Sequence, residues 1–265
     1  MTGAGRGIGR AIALALLGEG ARVAFLARTE SSLRELASAW RGEEGAARGG
    51  GGGGGARAAT GEAVPITCDV TDPASVRAAV AASAERIGAP GILVNGAGDA
   101  VSAPLHRTDD ALWSQLLAVN LTGTFLVTRE VAPLMIARGG GRIVNLASVA
   151  GVTGAPYVSA YTAAKHGVVG LTRALAQELA KSAITVNAVC PGYVDTSLTE
   201  RSVANIVEKT GMTPEEARAA LASRSPQKRI MTAEEIAALV VYLVSEEARG
   251  VNGQAIVLDG GGFVG

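Results

Sequence analysis

Thr2-Gly3-Ala4-Gly5-Arg6-Gly7-Ile8-Gly9 runs without a break into an Ala/Leu-rich stretch of helical period, Ile8–Glu19. Glycines at such a turn let the backbone approach a pyrophosphate, and the helix behind offers free N–H groups and the positive end of its dipole. A Gly-rich turn before a helix is also an ordinary loop, so its weight comes from what surrounds it. Working outward, short β-branched runs predict strands at Arg22–Ala27, Ala63–Cys68, Ile92–Val94, Arg142–Ala147, Ile184–Cys190 and Ala255–Leu258. Between them, Ser31–Trp40, Pro73–Ile87, Asp109–Ala137, Val158–Lys181 and Ala233–Glu246 carry the period of helices. Nearly all-apolar strands alternating with helices imply an α/β protein, a parallel sheet covered on both faces. In such sheets ligands sit beyond the carboxyl ends of the strands.

The chain has 265 residues, which suits one domain with a sizeable core, 1–265. Lys+Arg and Asp+Glu are 24 each, so no global positive field draws nucleic acid or an anionic membrane. No uninterrupted apolar run looks long enough to span a bilayer, and no leader precedes the first motif, so a cytoplasmic protein is expected. Cys68 and Cys190 each end an apolar stretch without metal-like spacing, and read as buried small hydrophobes in a reducing compartment. His106 and His166 lack convergent carboxylates or thiolates, so no metal site is expected.

Two segments leave the α/β rhythm. Residues 42–62 hold seven consecutive glycines, Gly49–Gly55, and read as a flexible surface insertion. Residues 195–228 follow a strand's carboxyl end and contain Thr213-Pro214-Glu215-Glu216, a helix start; they read as a lid over the ligand cleft.

Three features carry chemistry. The second motif turn, Leu26-Ala27-Arg28-Thr29, has no carboxylate for a ribose hydroxyl. Arg28 and Arg6 there suit a 2′-phosphate, hence NADP(H) with NAD(H) as the alternative; as a bland alternative both are plain surface arginines. Tyr161-Thr162-Ala163-Ala164-Lys165 puts a phenol and an ammonium at i and i+4 on one helix face. The expectation is that the cation lowers the phenol's pKa and fits it to exchange a proton with an alkoxide or alcohol. Ser148, ending the Arg142–Ala147 strand, is placed to hydrogen-bond a substrate oxygen, or is simply a turn former.

Taken together these residues resemble the short-chain dehydrogenase/reductase family, over essentially the whole chain and closest to its 3-oxoacyl-thioester reductase branch. The resemblance implies a Rossmann-type doubly wound sheet of order 3-2-1-4-5-6. It implies that Gly3, Gly7, Ile8 and Gly9 form the nucleotide loop, and that Asp69, followed by Val70, contacts adenine. Asn95-Gly96-Ala97-Gly98 is similar to the family's Asn-Asn-Ala-Gly turn, with its second Asn replaced. Asn120 is then the residue that holds a water against the catalytic lysine and completes a proton relay. Ser148, Tyr161 and Lys165 complete the tetrad, with Lys165 also on the ribose. Pro191, Gly192 and Thr196 grip the carboxamide end of the nicotinamide. Homotetramers or dimers, paired through the Val158–Lys181 helix, are implied as well.

One departure from the family stands out: only Met1 precedes the Thr-Gly loop, where members carry an apolar strand. That strand is central in the sheet, so its neighbours are expected to show unpaired edges, and the given start is expected to be internal to a longer reading frame. The wall Val149–Tyr157, with Tyr193 and the 195–228 lid, is small and apolar, which suits a modest ketone, a hydroxyacyl thioester or a secondary alcohol. Pro133 and Gln177 stand where carrier-protein reductases present basic residues, which leaves CoA esters and free ketones as substrates. The competing readings are a nucleotide-binding sensor or scaffold without turnover, and an inactive N-terminally truncated dehydrogenase.

Overall fold

The computed structural model describes residues 1–49 and 61–263, with 41–49 as backbone only. Its strands are β1 (Arg22–Ala27), β2 (Glu62–Thr67), β3 (Ile92–Asn95), β4 (Gly141–Leu146), β5 (Ile184–Pro191) and β6 (Ala255–Leu258), all within two residues of the sequence reading. Each pairing is parallel: β1 with β2 in one ladder, and β3-β4-β5-β6 in another. Every residue of β5 is buried, as a strand covered on both faces requires.

Helices α1 (Gly7–Gly18), α2 (Glu30–Gly49) and α9 (Ala233–Val244) cover one face, through Ile12, Leu17, Leu36, Val240 and Leu243. Helices α3 (Pro73–Ile87), α5 (Gly123–Arg138) and α6 (Ser159–Leu179) cover the other, through Val76, Val127, Val131 and Ala176. Asp72 caps α3 by accepting from the Ala74 N–H, with Pro73 at the first helical position. Thr232 and Glu235 form a capping box that starts α9.

Three expectations need correction. The helix foreseen at Ser31–Trp40 runs on to Gly49, because its Ala, Arg and Glu residues suit a helix, so residues 42–49 are not loop. The rest of the glycine-rich insertion, 50–60, lies outside the described residues. The single helix foreseen at Asp109–Ala137 is α4 (Asp110–Leu117), a π-turn at Ala118–Thr122, and α5. Finally, the run Asp110–Arg138 is long and apolar enough to cross a membrane by length and composition. Its apolar residues Val127, Val131 and Met135 instead face the core under the sheet.

No named strand precedes α1 among the described residues. Met1 and Thr2 instead bridge the two ladders: Thr2 pairs in parallel with Leu26 on one side and Asn95 on the other. The Thr2 N–H donates to the Val94 carbonyl at 3.0 Å, and the Gly3 N–H to that of Leu26 at 2.9 Å. Two residues therefore hold the place of a central strand and aim the glycine turn at the carboxyl edge of the sheet.

Candidate active site

The glycine loop is shaped by contacts that admit no side chain. Gly3 has φ +69°, and a Cβ there would lie 2.4 Å from the Gly96 carbonyl oxygen; one on Gly9 would lie 2.1 Å from the Gly3 oxygen. Thr2 Oγ1 accepts from the Gly96 and Ala97 N–H groups at 3.1 and 3.2 Å, which ties the loop to the turn after β3. Arg6 occupies the N-cap of α1 with extended backbone and no side-chain cap, so the first N–H groups of α1 remain available to an anion. Thr196, the N-cap of α7 (Ser197–Thr210), lies against the loop, its Cγ2 3.2 Å from where a Gly7 Cβ would stand. Ile8 packs on the α1 side of the core.

Arg6 and Arg28 are exposed at this edge, and neither joins an ion pair among the described residues. Asp69 sits beyond β2 in an Asx turn, accepting from the Thr71 N–H at 2.9 Å and hydroxyl at 2.8 Å. Those bonds, the Thr71 N–H first, and then the Arg28 charge hold its carboxyl below the usual range. Val70 is buried against Gly123, so its side chain supports the helix rather than a ligand. Asn95 likewise turns inward: its amide donates to Thr128 Oγ1 at 2.9 Å and Asn145 Oδ1 at 2.8 Å, so its side chain belongs to the packing behind the site. Pro191 is the buried last residue of β5, and the Gly192 N–H bonds the Leu258 carbonyl at 3.0 Å.

The tetrad converges. Ser148 caps a 3-10 turn after β4, its Oγ accepting from the Ala150 N–H at 3.2 Å, and its side chain lies close enough to the Tyr161 hydroxyl to lower that phenol's pKa. Tyr161 and Lys165 share a face of α6, the Lys165 Nζ 5.6 Å from the centre of the Tyr161 ring. Nζ donates to the Leu146 carbonyl at 2.7 Å. A Cβ on Gly98 would fall 2.8 Å from Asn120 Oδ1 and 3.6 Å from Nζ, so Asn120 and Lys165 flank that glycine from two sides. Asn120 is central in the π-turn, a helix irregularity frequent at functional sites. Its amide donates to the carbonyls of Asp99 and Leu116, both at 2.9 Å, and its Oδ1 accepts from the Asp99 N–H at 3.3 Å. It therefore fixes the Gly96–Asp99 turn.

The electrostatics reverse one expectation. Burial pushes the Tyr161 phenol up to about 12, and the Ser148 bond offsets only part of that. Burial also brings Lys165 down to about 8, which still leaves it mostly cationic at pH 7. The ammonium beside the phenol does not overcome desolvation of the phenolate. Cys190, buried nearby at the end of β5, has its thiol raised to about 11 by burial. His106 and His166 are both exposed.

Sequence reasoning missed three contributors. Behind the site, Asn145 Nδ2 donates to Thr172 Oγ1 at 2.9 Å, extending the Asn95–Thr128 pair into a buried chain that links β3, β4, α5 and α6. In front, Arg201 of α7 meets Asp99 at 2.5 Å and fastens the expected lid to the turn that Asn120 holds. Within the lid, α7 packs on α8 (Pro214–Ala222) through Val203, Ala217 and Leu221, and Arg218 pairs with Asp195 at 2.7 Å and also with Glu200. Acidic and basic residues in the lid were visible in the sequence; which would meet was not.

A glycine loop at a helix start and a Ser-Tyr-Lys-Asn cluster at one edge of a parallel sheet define a nucleotide-binding α/β oxidoreductase. Comparison with known proteins agrees. Residues 1–50 match the short chain dehydrogenase family model, and residues 54–262 match a related model described as enoyl-(acyl carrier protein) reductase. The 2-(R)-hydroxypropyl-CoM dehydrogenase of Xanthobacter autotrophicus is 38% identical, over 98% of this chain and 96% of its own. The 3-oxoacyl-acyl-carrier-protein reductase of Thermotoga maritima is 36% identical over 98% and 95%. A crystal structure of an actinorhodin polyketide ketoreductase variant with NADPH superposes with TM-score 0.89 at 38% identity, covering 98% of this chain and 94% of that one. The chain belongs to the short-chain dehydrogenase/reductase family.

Proposed function

We propose that this protein is an NADP(H)-dependent reductase that interconverts a ketone and a secondary alcohol, with Tyr161 as its proton-transfer residue. The observation that carries this reading is the convergence of Ser148, Tyr161 and Lys165 at the same sheet edge as the glycine loop. The loop fits a dinucleotide: glycines where any Cβ would collide, uncapped N–H groups on α1, and Arg6 and Arg28 beside them for a 2′-phosphate. NADPH in the actinorhodin ketoreductase crystal supports the same choice. When bound, the nicotinamide supplies the hydride chemistry.

The chain's own residues account for the proton. With its pKa at about 12, Tyr161 is a neutral acid at pH 7, ready to donate from its hydroxyl to a developing alkoxide. Ser148, beside that hydroxyl, orients the carbonyl oxygen, and the Lys165 cation stabilises the phenolate left behind. Lys165 spends one N–H on Leu146, which leaves two for the cofactor ribose. At neutral pH Tyr161 is therefore in the protonated form that carbonyl reduction needs.

The substrate read here is a 3-oxoacyl thioester or a small apolar ketone. The names of the Thermotoga and Xanthobacter relatives support a thioester or thioether handle, and the exposed Pro133 and Gln177 favour a CoA ester or free ketone over a carrier protein. The single-domain organisation 1–265, the lid at 195–228, a cytoplasmic setting and a homodimer or homotetramer belong to the same proposal. Exposed Trp113 and Phe125 on α4 and α5 support assembly. The test is NADPH oxidation on β-ketoesters and ketones: Tyr161→Phe should lose at least about 10²-fold in kcat while keeping the dissociation constant for NADPH. Equal turnover in the variant removes Tyr161 from the chemistry; no turnover in either favours a nucleotide sensor.

A further inference from the structure

Asp99 stands where the expected lid meets the catalytic groups. Asn120 grips it by both backbone groups, accepting from the Asp99 N–H at 3.3 Å and donating to the Asp99 carbonyl at 2.9 Å. The Asp99 carboxylate has other partners: Oδ1 accepts from the Arg201 guanidinium at 2.5 Å and from the Ala100 N–H at 2.9 Å. Gly98, just before it, lies between Asn120 Oδ1 and Lys165 Nζ, 2.8 and 3.6 Å from where its Cβ would stand. One residue thus holds Asn120 with its backbone and α7 with its side chain.

The segment to which Arg201 belongs, 195–228, is braced as a unit. Its apolar cluster of Val203, Ala217 and Leu221 is separate from the clusters that cover the sheet, and takes in Tyr193 and Ile230 at the two roots. Arg218 on α8 reaches Asp195 at 2.7 Å and also Glu200, which ties α8 to the start of α7. The roots are stitched together: the Asp195 N–H donates to the Met231 carbonyl at 2.8 Å, and the Met231 N–H to that of Tyr193 at 2.9 Å. A braced body on two adjoining roots suits closure as one piece. Among the described residues, Arg201–Asp99 is the ion pair that joins 195–228 to the rest of the chain. Its side chains are 49% and 23% exposed, so its charges are less screened than those of a fully solvated pair.

We propose that Arg201, acting through Asp99, is a positioning residue for the reaction: seating the lid fixes the Asp99 backbone, and that backbone fixes the Asn120 carboxamide beside Lys165. The inference rests on the reductase reading above. Closing over substrate and aligning Asn120 with Lys165 then become one event. Arg201 bonds no member of the tetrad itself, so its removal leaves Ser148, Tyr161 and Lys165 in place and frees only the Asn120 turn.

The test compares wild type with Arg201→Ala, Arg201→Lys and Asp99→Asn, by amide hydrogen exchange and by reduction of the β-ketoester that wild type uses best. Arg201→Ala should speed exchange at Asp99 and Ala100 by roughly three-fold or more, while amides within α7 and α8 keep their rates. It should lower kcat by roughly three-fold or more, with a smaller change in KM. Arg201→Lys should recover most of both losses. Asp99→Asn should match Arg201→Ala, and the two combined should be no worse than either alone. Faster exchange throughout α7 and α8 means that the lid itself has loosened; a raised KM at constant kcat means that Arg201 only holds substrate; losses that multiply mean that the two residues act apart. Each of these overturns the proposal. Wild type without turnover on any ketone sinks the reductase reading instead; exchange at Asp99 then decides the coupling alone, kept if Arg201→Ala speeds it and refuted if not.

Discussion

Asn145 is fully buried and is the middle link of the polar chain behind the site, accepting from Asn95 at 2.8 Å and donating to Thr172 at 2.9 Å. Asn145→Ala removes both bonds and strands one amide hydrogen of Asn95, whose Oδ1 already lacks a partner. A buried polar group left unmatched costs about 1–3 kcal/mol, so two broken contacts come to about 2–6 kcal/mol. That is a large share of a typical total of about 5–15 kcal/mol. At about 2 °C per kcal/mol for a chain this size, Tm should fall by about 4–12 °C. Urea unfolding should show the midpoint shift with the slope unchanged. Because Thr128 and Thr172 bond back to their own helices, the loss should be localised at the β3–β4 link. The double variant with Asn95→Ala should therefore cost less than the two single variants summed, by at least about 0.5 kcal/mol. A single-variant loss under about 1 kcal/mol, or simple additivity, refutes the idea that these residues act as one network.

Two further outcomes concern catalysis. Lys165 is cationic below about pH 8 and neutral above it, while Tyr161 stays protonated to about 12; kcat/KM for reduction should thus be level through neutral pH and fall above about 8. Lys165→Arg keeps its charge and should carry that fall to higher pH, and a wild-type profile that stays flat to pH 10 would remove Lys165 from the role. Arg28→Asp places a carboxylate at the β1 turn and should shift preference from NADPH to NADH, read as the ratio of kcat/KM; an unchanged ratio means Arg28 does not hold the 2′-phosphate.

The strands were legible because β-branched runs bounded by turn residues signal themselves locally: β1 and β6 match the sequence reading residue for residue. The nearness of Tyr161 and Lys165 was legible in their i, i+4 spacing and the place of Ser148 in its position after β4, whereas Asn120 came only from the family resemblance. The π-turn was not, since Ala118–Thr122 has ordinary helical composition and its irregularity comes from the bonds Asn120 makes to Asp99. The Asn95–Asn145–Thr172 chain was hidden for a similar reason: its members are separated by 50 and 27 residues and meet only once the sheet is assembled. Nor does Tyr-x-x-x-Lys spacing reveal that desolvation outweighs the neighbouring charge at Tyr161, because depth of burial belongs to the whole fold.

The widened turn at Ala118–Thr122 ties chain length to reactivity. An α-helix advances about 100° per residue, so closing this turn to ordinary α geometry with every residue kept would rotate everything beyond it by about that angle. Val127 and Val131 would swing off the sheet while Asn120 lost its hold on the Asp99 loop. The extra width of this bend is therefore what lets one helix keep its packing beneath the sheet and still align the groups above it.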